Sequence, residues 1–283
     1  MKKFLKVLLI LILIISLISS VIAYGTFVSV SSISIVNQKI SSTKINDDMN
    51  DLKIAFISDI HYNHFMNKER LTKMIERINA FKPDILLFGG DLFDDPTLYP
   101  IDENVTKELA ECLSQLQADY GKFAVLGETD HHENVLPIVE DLLFQADFEL
   151  LNNQNIQLTK EGSSTIYLIG IDSLVGGNPD VEMSLQEVDT NAFTIVLTHA
   201  PDLISQLPSN GIDLVLAGHS HGGQIALPFI GELNKKEGAL SYSKGEYWIN
   251  QTQLIVSNGM GTTDTDIRIF ADPQCHILRL TNK

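Results

Sequence analysis

Apolar and polar positions divide the chain into three regimes. Residues 7–23 carry no charge, and the apolar run reaches back across Lys6 to Phe4. Residues 24–50 are rich in Ser, Asn and Lys, with scattered Ile and Val. From Asp51 onward, short apolar runs alternate with stretches in helical spacing, punctuated by Gly, Pro, Asn and Asp.

In that third regime the order is strand, turn, helix, repeated. Residues 52–57 predict a buried strand that ends in Ser58-Asp59-Ile60-His61. Leu71, Met74, Ile75 and Ile78 then share one face of a helix over 67–80. Pro83 stops it, and 84–88 is the next strand, ending in Gly89-Gly90-Asp91. A helix over 103–118 leads to a strand over 122–126, which ends in Gly127-Glu128-Thr129-Asp130-His131-His132, with a helix over 135–145 behind it. Strands follow at 155–159, 165–169, 193–197 and 213–217. The third of these ends in Thr198-His199 and the fourth in Gly218-His219-Ser220-His221. Beyond 223 the pattern reads as several strands with polar turns, closing on 275–280. The alternation predicts an α/β core with a parallel-rich sheet. The strand-dense second half predicts a second sheet packed on the first, within one domain over 51–283.

The first regime is about the length that spans a bilayer as a helix. Lys2, Lys3 and Lys6 precede and enter it, which puts the remainder outside the cytoplasm. Residues 1–23 therefore read as an uncleaved membrane anchor at the cell membrane, followed by a linker or stray edge strand over 24–50. The alternative is a signal peptide cleaved after Val21-Ile22-Ala23, giving a secreted domain. Formal net charge is −16, and no basic patch is visible, so nucleic acid is excluded as a partner. Cys112 and Cys275 are too few and too far apart for a disulfide framework or a CxxC zinc site, and read as two buried thiols.

Asp59, His61, Asp91, Glu128, His199, His219 and His221 all lie just past the ends of predicted buried strands. In open α/β sheets that edge is where sites form. Any one of these residues alone reads as a cap or a turn former. Five strand ends carrying Asp, Glu or His together do not, because His is a poor cap. A mixed nitrogen and oxygen donor set suits Mn, Fe or Zn better than Mg or Ca.

Asp59-Ile60-His61, Gly90-Asp91, Gly127-Glu128-Thr129-Asp130, Thr198-His199 and Gly218-His219-Ser220-His221 resemble, in order and spacing, the five motif blocks of the calcineurin-like metallophosphoesterases. Residues 223–229, Ser257-Asn258-Gly259-Met260-Gly261 and Arg268 are similar to a bacterial membrane-associated branch related to UDP-2,3-diacylglucosamine hydrolase. The resemblance implies two packed mixed β-sheets flanked by helices, a four-layer sandwich. It implies two divalent metal ions: Asp59, His61, Asp91 and His221 would hold one, and Asp91, Glu128, His199 and His219 the other. Water activated between the two cations would then attack a phosphate ester, a diester, monoester or pyrophosphate of a lipid or envelope metabolite.

The third block departs from the family, which carries Asn-His where this chain has Glu128-Thr129. Glu128 can still ligate. Thr129 cannot protonate a leaving group at neutral pH, a service of about 10²–10⁴-fold. His131, two residues on, is the candidate substitute acid, with His132 next to it as the alternative. The alternative function is a metal-binding regulatory or binding protein with weakened catalysis.

Overall fold

The strands at the centre of the molecule are covered on both faces, which is why they read as unbroken apolar runs instead of alternating ones. In the computed structural model, which describes residues 1–159 and 165–283, helix α1 spans Lys2–Phe27. Strand β1 is Ser34–Ser42, β2 is Lys53–Ile57, α2 is Lys68–Asn79, β3 is Ile85–Phe88 and α3 is Glu103–Leu113. Then come β4 (Lys122–Ala124), α4 (Leu136–Gln145), β5 (Phe148–Leu150), β6 (Gln154–Thr159), β7 (Thr165–Gly170) and the short α5 (Val181–Ser184). The rest is β8 (Phe193–Leu197), β9 (Leu214–Ala217), a small hairpin β10–β11 (Ala226–Leu227, Gly231–Glu232), β12 (Gly245–Ile249), β13 (Thr252–Val256) and β14 (Gln274–Asn282).

Two six-stranded mixed sheets result, ordered β1-β14-β2-β3-β4-β5 and β12-β13-β9-β8-β7-β6. In β2, Ala55 and Ile57 face α2, α3 and α4, while Ile54 and Phe56 face the other sheet. In β9, Leu214 and Leu216 return that packing, while Val215 and Ala217 face the outer layer with Leu203 and Ile204. The layers are therefore helices, sheet, sheet, and an outer layer of short helices and loops.

The helices start where side chains replace missing backbone partners. The Asn67 side chain accepts from Arg70 N at 3.0 Å, and Asp102 accepts from Asn104 and Val105 N at 2.9 Å. Helix α3 stops at Leu113, short of the 118 expected. The Asn79 side chain takes hold of the chain beyond it, donating to Gln115 O at 2.7 Å and accepting from Gln117 N at 3.1 Å.

The segment 24–50, expected as linker or stray edge strand, joins the first sheet from residue 34. There β1 pairs in parallel with β14 from Ser34–Gln274 to Ser42–Asn282, and Ile40, Ile45 and Met49 are buried. Its alternating polar residues face solvent along a sheet edge, so the sequence carries little apolar signal. Helix α1 is apolar and long enough to cross a membrane, with Gly25 its one buried residue. Cys112 and Cys275 are free and buried.

Candidate metal centre

The residues that follow β2, β3, β8 and β9 converge at one edge shared by the two sheets. Asp59, His61, Asp91, His219 and His221 all take positive φ, between 47° and 68°. Left-handed backbone costs a residue with a Cβ of order 1–3 kcal/mol and persists where surroundings impose it. Five such residues, each buried, in one cluster mark a site. Two glycines make the crowding tolerable: a Cβ on Gly127 would lie 2.2 Å from Asp91 Oδ1, and one on Gly218 would lie 2.4 Å from Asp59 Oδ2.

The donors form two groups, Asp59 with His61 and His221, and Asp91 with His199 and His219, each able to bring one ligand atom apiece within 4.8 Å of the others. Asp91 joins them. Its Oδ2 lies 3.4 Å from His61 Nε2 and 3.2 Å from His199 Nε2, and among the described residues it has no hydrogen-bond donor. Oδ1 is held elsewhere, accepting from Thr129 N at 2.9 Å. Backbone carbonyls, which only accept, fix two imidazoles. His199 Nδ1–H donates to Gly89 O at 2.7 Å, and His219 Nε2–H donates to Glu237 O at 2.6 Å. The remaining ring nitrogens, His199 Nε2 and His219 Nδ1, face each other across 3.1 Å.

Electrostatics match. Burial holds the imidazoles of His61 and His219 down at about 3 and that of His221 well below its ordinary value, so all three are neutral ligands at pH 7. Burial alone would push the Asp91 carboxyl up, but the adjoining His199 charge outweighs it and holds it well below the usual range. Burial would likewise depress His199, yet the Asp91 carboxylate raises it to about 9. A buried carboxylate oxygen without a donor, facing converging imidazole nitrogens, fits divalent cations.

Glu128 reaches the rim, with its side chain 45% exposed and Oε2 3.9 Å from His219 Nδ1. Thr129 is turned inward, its hydroxyl donating to Phe93 O at 2.9 Å. His131 Nε2 pairs with Asp172 Oδ1 at 2.7 Å, and that contact raises the imidazole above its ordinary value.

Three contributors were not legible from spacing. Asp130, in the third block, accepts from Asp91, Leu92 and Gly127 N at 2.8–2.9 Å and so ties the end of β3 to the end of β4. Burial, then the Asp91 charge, push its carboxyl up to about 6. Asp94 stands 3.8 Å behind His61 Nδ1, a carboxylate backing an imidazole as in metal sites generally. Lys236 borders a cleft of about 180 Å³ with His221 and Gln224, and its charge bears on Asp59, His61, Asp91, His219 and His221. A larger cleft, about 820 Å³ beside Lys53 and Arg279, shares no residue with the site.

The Calcineurin-like phosphoesterase family model matches residues 52–223, and the protein belongs to that family. The chain is 30% identical over 257 residues to the Bacillus subtilis protein described as uncharacterized metallophosphoesterase YkuE, covering 91% of this chain and 88% of that one. A Campylobacter jejuni metallophosphoesterase is 31% identical over 82% of this chain and 60% of its own length. A Danio rerio transmembrane protein with metallophosphoesterase domain is 27% identical over 71% of this chain and 47% of its own length.

Proposed function

We propose that the protein is a metal-dependent phosphoesterase, held at the membrane by α1 with its site on the extracytoplasmic side. The observation that carries this reading is Asp91 Oδ2, buried without a donor between the two groups of imidazoles. Asp59, His61 and His221 would hold one cation, His199 and His219 with Glu128 the second, and Asp91 would touch both. Bound there, Mn, Fe or Zn ions supply charge that lowers the pKa of water and neutralises phosphoryl oxygens.

The chain's own residues do the rest. Thr129 N–H orients Asp91, and Lys236 adds positive charge where an ester phosphate enters. His131, whose proton the Asp172 carboxylate favours, takes the acid role that Thr129 cannot perform. Lipid-linked esters are the substrate class that follows from α1 holding the site near the membrane surface.

The test is hydrolysis of bis-p-nitrophenyl phosphate by the purified chain with Mn²⁺. Activity should vanish with chelator and in Asp91→Asn. His131→Gln should slow esters of poor leaving groups by about 10²-fold or more while sparing activated aryl esters. Full activity in Asp91→Asn overturns the proposal. A wild-type rate near background, with two metal equivalents bound, favours the regulatory alternative that Thr129 suggests.

A further inference from the structure

The hairpin β10–β11 ends in a bulky apolar tip that the domain leaves bare. Phe229 is 108% exposed, Ile230 72%, and Leu233 on the return arm 58%. The turn is closed by Ile230 N donating to Leu227 O at 3.2 Å, with Pro228 and then Phe229 at its two central positions. Phe229 has φ 68°, where a turn of this kind takes glycine. A phenylalanine there is both strained and hydrated, two costs with nothing inside the molecule to offset them.

What covers the tip follows from where the hairpin is rooted. Ala226 N donates to Ile269 O at 2.9 Å, and Ile269 N donates to Gln224 O at 3.0 Å. The same segment receives the end of α1. Arg268 N donates to Gly25 O at 3.1 Å, and a Cβ on Gly25 would lie 2.8 Å from Arg268 O. One short strip of chain, residues 267–269, is therefore shared by the end of the apolar helix and the base of the hairpin. Tyr24 and Phe27 on α1 and Phe270 beside the strip are also exposed, at 54%, 77% and 61%. Charge agrees: residues 224–245 carry three lysines and two glutamates, net +1, in a chain of net −16.

We infer that the β10–β11 tip is a second membrane contact, inserting Phe229 and Ile230 into the leaflet from which α1 emerges. This rests on α1 being a membrane span. Three residues of extended chain from Ala226 to Phe229 reach about 10 Å, within the depth to which interfacial apolar groups sink. Beyond the tip, the return arm brings Leu233 and Lys236 to the cleft beside His221, and Glu237 O receives His219 Nε2–H. The mouth of the site thus opens at the headgroup layer, where an amphipathic phosphate ester enters while its acyl chains stay in lipid.

The test uses the full chain reconstituted into phosphatidylethanolamine–phosphatidylglycerol vesicles with brominated acyl chains. Its one tryptophan is first removed by Trp248→Phe. Tryptophan is then introduced by Phe229→Trp, by Ile12→Trp within α1, or by Phe144→Trp on α4. Bromine should quench Phe229→Trp severalfold, as it quenches Ile12→Trp, and leave Phe144→Trp unaffected. Quenching in Ile12→Trp with none in Phe229→Trp overturns the inference alone, and no quenching in Ile12→Trp removes the span reading beneath it. As a second readout, Phe229→Asp with Ile230→Asp should lower hydrolysis of a vesicle-embedded lipid phosphate about tenfold or more and leave a soluble aryl ester unchanged. Equal loss on both substrates also overturns it.

Discussion

Replacing Asp91 with asparagine keeps the side chain's size and removes the charge that the two imidazole groups share. In the metal-free chain the consequence is calculable at His199. Its imidazole sits at about 9 because the Asp91 carboxylate is 3.2 Å away, against an ordinary value of 6.5. That difference of about 2.5 pH units amounts to about 3 kcal/mol at 1.36 kcal/mol per unit. A folded-state value above the unfolded one stabilises the fold fully below about 6.5, and the contribution disappears as pH rises through about 9. His61 and His219 at about 3, and His221 well below its ordinary value, are neutral across this window and do not obscure it.

Asp91→Asn should therefore bring His199 well below about 9, since burial continues to act on it while only Asp59 and the Gly89 carbonyl still favour its charge, and flatten the stability profile between those limits. Imidazole titration by NMR on the chelated protein reads the first effect, and urea unfolding at several pH values reads the second. Calorimetric titration with Mn²⁺ or Zn²⁺ should show at least one equivalent lost. A His199 value still near 9 in Asp91→Asn, with two metals bound, refutes the bridging role.

Two further perturbations test the surroundings. Gly127→Ala puts a methyl group 2.2 Å from Asp91 Oδ1 and 2.4 Å from its amide. It should destabilise the fold by about 1–3 kcal/mol and displace Asp91, read as a lower melting temperature with weakened metal binding. His131→Gln removes the pair with Asp172, whose carboxyl is held below the usual range by His131 against the upward push of burial. The Asp172 contribution is present above about 4 and is lost as pH falls through its lowered value. The His131 contribution is complete below about 6.5 and is lost as pH rises through its raised value. The stability gap between wild type and His131→Gln should thus be widest between about 4 and 6.5, at about 1–3 kcal/mol, and a pH-independent gap would contradict the pairing.

Much of this architecture was legible because buried parallel strands leave unbroken apolar runs and must stop at a turn. Asp59, Asp91, His199, His219 and His221 stand at those stops, and the structure gathers them at one edge. Strand β1 was harder to read, since Ser34–Ser42 is mostly polar, lies along a half-solvated sheet edge with Ile40 alone buried, and resembles linker. Asp130 is illegible for another reason: its service is to three backbone amides, a partnership no spacing rule announces. His131 was named as a candidate acid by counting two residues on from Thr129. Only the 3₁₀ turn at 129–131, which carries its ring to Asp172, settles what it touches. Lys236 comes from a hairpin arm that reads as ordinary polar turn.

Strand β14 lies between β1 and β2 in the first sheet, pairing with residues about 220 to 240 positions earlier. Closing that sheet therefore waits until residue 282 has left the ribosome, and contacts so distant in sequence fold slowly. Until then β2 has an open edge and β1 has no partner in the sheet. A nascent chain in this state is prone to pair with its neighbours. The same arrangement makes the final strand a checkpoint, because a chain cut before residue 274 lacks the element that joins the strand following α1 to the strand leading into Asp59 and His61.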